Sequence, residues 1–104
     1  MNNRTTTIGK HKTAIYNDGD GFTRVVYHNT AVFKIKQHDD GTAAIILNSG
    51  GWKTATTKKR INQAAKAFNV PLYVKQEAFE WFVVANGDVF PFVDGNKLLI
   101  KVKP

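Results

Sequence analysis

The sequence predicts an α+β domain: a twisted, mainly antiparallel sheet of about six or seven short strands with one packed amphipathic helix, over about residues 57–68. Three observations carry that expectation. Turn signals recur along the chain: N-D-G-D-G at 17–21, H-N-T at 28–30, H-D-D-G at 38–41, N-G-D at 86–88 and D-G-N at 94–96. Asn-Gly and Asp-Gly supply the positive φ that tight hairpins demand. Between the turns lie short runs rich in β-branched and aromatic residues, several of them alternating. One long segment has the helical period instead, with Ile61, Ala64, Ala65 and Phe68 at i, i+3, i+4 and i+7.

Taken in order, residues 1–12 are polar and threonine-rich and read as a flexible basic arm, with a single α+β domain over 13–104. Phe22 to Tyr27 and Ala31 to Gln37 form an expected hairpin. In its second run Ala31, Phe33 and Ile35 alternate with Lys34 and Lys36, and only Val32 breaks the pattern. The run 42–48, T-A-A-I-I-L-N, is more apolar and suits a central position. The helix follows, with Thr56 or Thr57 as N-cap, Lys58, Lys59, Asn62, Gln63 and Lys66 off its apolar stripe, and Asn69 with Pro71 as its stop. Runs at 72–76, 79–85, 89–93 and 97–103 complete the strands, and Pro91 confines its own to an edge or a bulge.

The chain has 104 residues, a formal charge of +7 and a pI of about 9.8. One domain of this length can bury a core, and the 42% apolar content is that of a folded protein. Such a basic balance fits a polyanionic partner. The charge is also unevenly placed. From Gly41 to Gln76 there is no acid, yet the stretch holds Lys53, Lys58, Lys59, Arg60, Lys66 and Lys75. No cysteine is present, which removes thiolate metal sites, disulfides and a cysteine nucleophile together. The first residues hold no apolar run of the signal-peptide or anchor kind, and no stretch approaches a membrane span, so no membrane association is expected.

Templates for catalysis fit poorly. Ser49 is the one serine, and no nearby His-Asp pattern accompanies it. His11, His28 and His38 lack metal-pair spacing, and His38-Asp39-Asp40 suits a turn better than a metal. Glu77 and Glu80 read as solvated or lysine-paired carboxylates. S-G-G-W-K-T resembles a nucleotide phosphate loop but fails it, because tryptophan separates Gly51 from Lys53. No enzyme, metal or cofactor is expected.

The same stretch still has the chemistry of an anion site. Gly50 and Gly51 allow close backbone approach, and a helix N-terminus offers unpaired N–H groups. Thr54, Thr56 and Thr57 add hydroxyls; Lys53, Lys58, Lys59 and Arg60 add charge; Gln63 lies one turn on. Lys58, Lys59 and Arg60 in a first helical turn oppose the helix dipole at about 0.3–1 kcal/mol each, a cost that a bound anion reverses. Trp52 can stack on a base, worth roughly 1–3 kcal/mol in single-strand binders. The glycines also suit a plain turn, the threonines a plain cap, and the indole a core. Phe79, Trp81, Phe82, Phe90 and Phe92 offer a second aromatic set that could make a base-stacking platform, but core packing explains most of them.

The segments N-S-G-G-W-K-T-A-T-T-K-K-R-I-N-Q-A-A-K-A-F, L-Y-V-K-Q-E-A-F-E-W-F-V-V and V-F-P-F-V-D-G-N-K-L-L-I resemble a set of small phage proteins of undefined function. The pattern N-[ST]-G-G-W-x-[ST]-x-T-T-K-x-R-[IM]-N-Q is met by Asn48, Ser49, Gly50, Gly51, Trp52, Thr54, Thr56, Thr57, Lys58, Arg60, Asn62 and Gln63. The resemblance covers roughly the last two-thirds of the chain and implies a virus-encoded protein acting in the cytoplasm of an infected bacterium. It transfers no catalytic residue. The expected function is a non-enzymatic binding protein that captures an anionic partner, nucleic acid first, at the 50–60 junction, with Lys34, Lys36 and Lys75 as extensions. An inhibitor of a host or defence protein, or a sponge for a small nucleotide signal, are the alternatives. The sequence leaves the oligomeric state open.

Overall fold

The computed structural model describes residues 3–5, 13–27 and 29–102. His11, His28 and Lys103 therefore lie outside the described residues, as does the N-terminal arm apart from residues 3–5. Among the described residues nine strands and one helix follow one another: β1 (Asn3–Thr5), β2 (Thr13–Asn17), β3 (Thr23–Tyr27), β4 (Thr30–Gln37), β5 (Thr42–Leu47), α1 (Ala55–Ala67), β6 (Leu72–Glu77), β7 (Glu80–Ala85), β8 (Asp88–Pro91) and β9 (Lys97–Lys101). The α+β class, the antiparallel pairing and the single packed helix are those the sequence predicts. The strands fall into two sheets, of order β1-β2-β3-β4-β5-β9 and β6-β7-β8. β5 is internal, and Pro91 stands on an edge strand, both as expected.

The irregular Val32 has a structural cause. Val25 pairs with Phe33 and Val26 with Ala31, so Val32 is the extra residue of a β-bulge. It is buried there, which is why two consecutive apolar residues stand where alternation calls for one. Past the bulge, Phe33 and Ile35 face the core while Lys34 and Lys36 face outward. At the β4–β5 turn, Asp40 Oδ1 accepts from the Thr42 hydroxyl and N–H, and these bonds hold the Asp40 carboxyl below its usual range.

The inner face of the larger sheet is covered by α1 and by the smaller sheet. Ile61, Ala64 and Ala65 are fully buried, and the two alanines let the helix lie close. Phe68 stacks on Phe33 with ring centres 5.8 Å apart. From the small sheet, Trp81 meets Phe92 edge to face at 5.2 Å. Helix α1 ends in a Schellman motif: the N–H of Val70 reaches Ala65 O at 2.8 Å, that of Asn69 reaches Lys66 O at 3.1 Å, and Asn69 takes φ 58°.

Two asparagine side chains imitate peptide groups along strand edges. Asn62 Oδ1 accepts from Val74 N–H at 2.6 Å while its Nδ2 donates to Val74 O at 3.0 Å. Asn86 treats Lys101 the same way, at 2.9 and 3.0 Å. The first clips α1 to β6. The second clips the β7–β8 turn to β9 and so joins the two sheets.

Candidate binding site at the Gly-Gly-Trp junction

Strand β5 ends at Leu47, and the chain turns twice before α1. Asn48 Oδ1 accepts from Gly50 N–H at 2.7 Å. The N–H of Trp52 bonds Ser49 O at 3.0 Å, closing a four-residue turn. Its central residues, Gly50 and Gly51, have φ 65° and 83°. Two positive values in succession are the demand of a type I′ turn, and they account for the glycine pair. Ser49, only 2% exposed, is held by Asp94: its N–H reaches Oδ1 at 2.7 Å and its hydroxyl reaches Oδ2 at 3.0 Å. Ser49 Oγ in turn accepts from Gly51 N–H at 3.2 Å. The motif is thus bolted to the 94–95 turn, whose Gly95 N–H returns to Leu47 O at 2.9 Å.

The helix begins earlier than its threonines led us to expect. Thr54, not Thr56 or Thr57, is the N-cap, and its Oγ1 accepts from Thr57 N–H at 3.1 Å. All three residues suit a cap by type; Thr54 takes the role because the turn that precedes it, with Thr54 N–H on Trp52 O at 2.9 Å, starts the helix there. Lys58, Lys59 and Arg60 consequently stand in the second turn, where the dipole is weak. The charge-against-dipole argument for a bound anion falls with that shift.

The predicted residues do not all converge. Trp52, Thr54, Thr56 and Thr57 line one cleft of about 510 Å³, closed on its other side by Tyr27, Asn29 and Thr30. Trp52 is 72% exposed at this cleft, so the core reading of the indole is excluded. Gly50 lets the turn lie directly on Thr30. Lys53 leaves the cleft and places its Nζ 5.7 Å from the centre of the Phe92 ring. Lys58 is half-buried and Lys59 exposed on α1. Arg60 is the largest departure from expectation, being 5% exposed. Its guanidinium lies 5.4 Å over the Tyr27 ring, Nη1 donates to Gln63 Oε1 at 2.9 Å, and Nε has no partner among the described residues. Gln63 therefore serves Arg60.

The three proposed extensions lie elsewhere. Lys34 is 3.7 Å from Asp18 on the outer face of the larger sheet, with Lys36 beside it over Phe22, and Lys75 pairs with Glu77 at 3.3 Å on β6. Sequence reasoning missed Asp94, Tyr27, Asn29 and Thr30. Each left only a structural trace in the sequence: Asp94 opens the D-G-N turn, Asn29 and Thr30 lie in the H-N-T turn, and Tyr27 ends the strand before it.

Among the described residues no helix is long and apolar enough to cross a membrane, and no group of three His, Cys, Asp or Glu is placed to hold a metal ion. No curated protein and no solved structure matches the chain. Residues 1–99 match the family model described as Kyanoviridae Gp96 protein, and the chain belongs to that family of phage proteins.

Proposed function

We propose that this phage protein is a non-enzymatic binding protein that captures a nucleic acid at the Gly-Gly-Trp junction, inside the infected bacterium. The observation that supports it is the indole of Trp52, 72% exposed at a cleft otherwise lined with hydroxyls and an amide. A large aromatic left in water beside polar groups suits a base that stacks while its sugar or phosphate meets the threonines. Lys53, Lys58 and Lys59 have no ion pair among the described residues, so their charge acts on an approaching polyanion. In this mechanism field and stacking supply the affinity, because the cations do not form a closed pocket.

Trp81 is 4% exposed, so a change in tryptophan fluorescence on adding a single-stranded oligonucleotide reports chiefly on Trp52. The emission is expected to fall on binding, and affinity to drop steeply between low and moderate salt. Trp52→Ala is expected to weaken binding about ten- to a hundredfold, the equivalent of roughly 1–3 kcal/mol of stacking. No binding at low salt overturns the reading.

A second reading, capture of a host or defence protein, rests on a different place. The β6–β7 turn has Ala78 at φ 50° and Phe79 at φ 68°, and Phe79 is 94% exposed between Glu77 and Glu80. A bulky residue at positive φ is an outlier that costs about 1–3 kcal/mol, and such strain gathers where function requires it. The expected partner is a protein with an apolar pocket and a basic rim. Phe79→Gly relieves the strain, so it should raise the melting temperature. It should also abolish retention of that one protein from nuclease-treated host lysate. Retention unchanged by the substitution removes the tip from consideration.

A further inference from the structure

The side of the larger sheet turned away from the helix carries a second constellation, separate from the junction. Strand register sets Tyr16, Arg24, Lys34, Ile46 and Lys97 side by side across β2, β3, β4, β5 and β9. The next row runs Lys36, Ala44, Leu99. Phe33 and Ile35 point to the core, so Lys34 and Lys36 point out; Ile45 and Ile100 likewise point in, which turns Ile46, Leu99 and Lys101 outward. Leu99 is 68% exposed at the end of that row, while Ala44, between Lys36 and Leu99, is 4% exposed.

The cations there are arranged on aromatic rings. The Arg24 guanidinium lies 4.8 Å over Tyr16, and Lys34 and Lys36 Nζ lie 5.2 and 5.9 Å over Phe22. Cation–ring contacts hold long side chains near one position while leaving part of each charge open to solvent. Asp18 pairs with two of these cations, its carboxylate 3.0 Å from Arg24 Nε and 3.7 Å from Lys34 Nζ, and Asp40 stands at the edge of the face, bonded to the hydroxyl of Thr42, the strand partner of Lys101. Lys36, Lys97 and Lys101 have no ion pair among the described residues.

We infer that this outer face is an interaction surface for the sugar–phosphate backbone of single-stranded nucleic acid. Charge complementarity selects a polyanion: among the described residues five cations face Asp18 and, at the edge, Asp40, and three of the five have no ion pair. The arrangement selects a strand. Adjacent strands lie about 4.8 Å apart, so Arg24 to Lys97 spans about 14 Å across the sheet, a line of charge with apolar Ile46 between Lys34 and Lys97. Open sheet faces that mix cations with aromatic and apolar side chains suit extended strands whose bases lie on the sheet while phosphates meet the charges. The inference shares its class of ligand with the function proposed above and rests on different residues.

The test compares four proteins: wild type, Lys34→Gln/Lys36→Gln/Lys97→Gln, Asp18→Asn and Trp52→Ala. Each is titrated with a labelled deoxythymidine oligomer of about 15 nucleotides at several salt concentrations, within the range of single-strand site sizes. At about 0.7 per phosphate contact, the triple variant is expected to lower the log–log salt slope by about 2, with affinity down at least about tenfold at low salt. Asp18→Asn frees Arg24 and Lys34 and is expected to move affinity and slope the opposite way. That opposed response is one that misfolding does not produce. A triple variant that binds as the wild type does, while Trp52→Ala loses affinity, overturns the sheet face and leaves the junction standing. The reverse pattern supports the sheet face and removes the junction. Poly-glutamate bound as tightly as the oligomer overturns the nucleic-acid assignment in favour of an acidic protein.

Discussion

Gly50→Ala is expected to lower the unfolding free energy by about 2–4 kcal/mol, read from urea or thermal unfolding. Two costs add. The φ of 65° puts any L-residue in the left-handed region, at about 1–2 kcal/mol. A Cβ there also collides with the Thr30 hydroxyl oxygen and stands 3.0 Å from Thr30 Cγ2 and 3.2 Å from its Cβ. Thr30 opens β4 and pairs with Tyr27, so relief means moving sheet backbone. Gly51→Ala is the control. It has φ 83° and meets nothing within 4 Å, so it carries the backbone cost alone. Equal losses in the two variants refute the steric argument.

Asp94→Ala is expected to cost about 3 kcal/mol, because it strips two charge-assisted bonds, each worth about 1.5–3 kcal/mol, from a serine that water reaches poorly. The upper end is not expected, since Asp94 is itself exposed and water can enter on its side. Ser49→Ala removes the hydroxyl's bond to Asp94 and the bond it accepts from Gly51 N–H but keeps the backbone N–H bond to Asp94, so it is expected to cost less. The double variant should cost distinctly less than the sum of the two single ones, a coupling that a cycle measures directly. Strict additivity contradicts the geometry. The loop held by this pair presents Trp52, so Asp94→Ala should also loosen the junction and weaken whatever binds there.

Much of the fold could be read from the chain because its signals are local. Ile61, Ala64 and Ala65 at helical spacing, Asn69 with Pro71 as a stop, and Pro91 at an edge each act through their own backbone or nearest turn. Strand β2 escapes the sequence reading because its evidence is distant: over residues 14–17 only Ile15 is buried, and the segment becomes a strand by pairing with β3. The junction divides the same way. Paired glycines announce a tight turn, but their anchor is a carboxylate 45 residues away. Arg60 looked like surface charge because the ring that covers it belongs to β3. Lys34 and Lys36 seemed to extend the junction because charge was counted along the chain, whereas the pleat sends them to the opposite side of the sheet.

The paired contacts of Asn62 and Asn86 also bear on association between copies of the chain. An open strand border is a template on which a neighbouring molecule can add its own backbone, and repetition of that step grows fibrils. By occupying N–H and C=O groups of β6 and β9 with side-chain amides, the protein withholds part of two such templates.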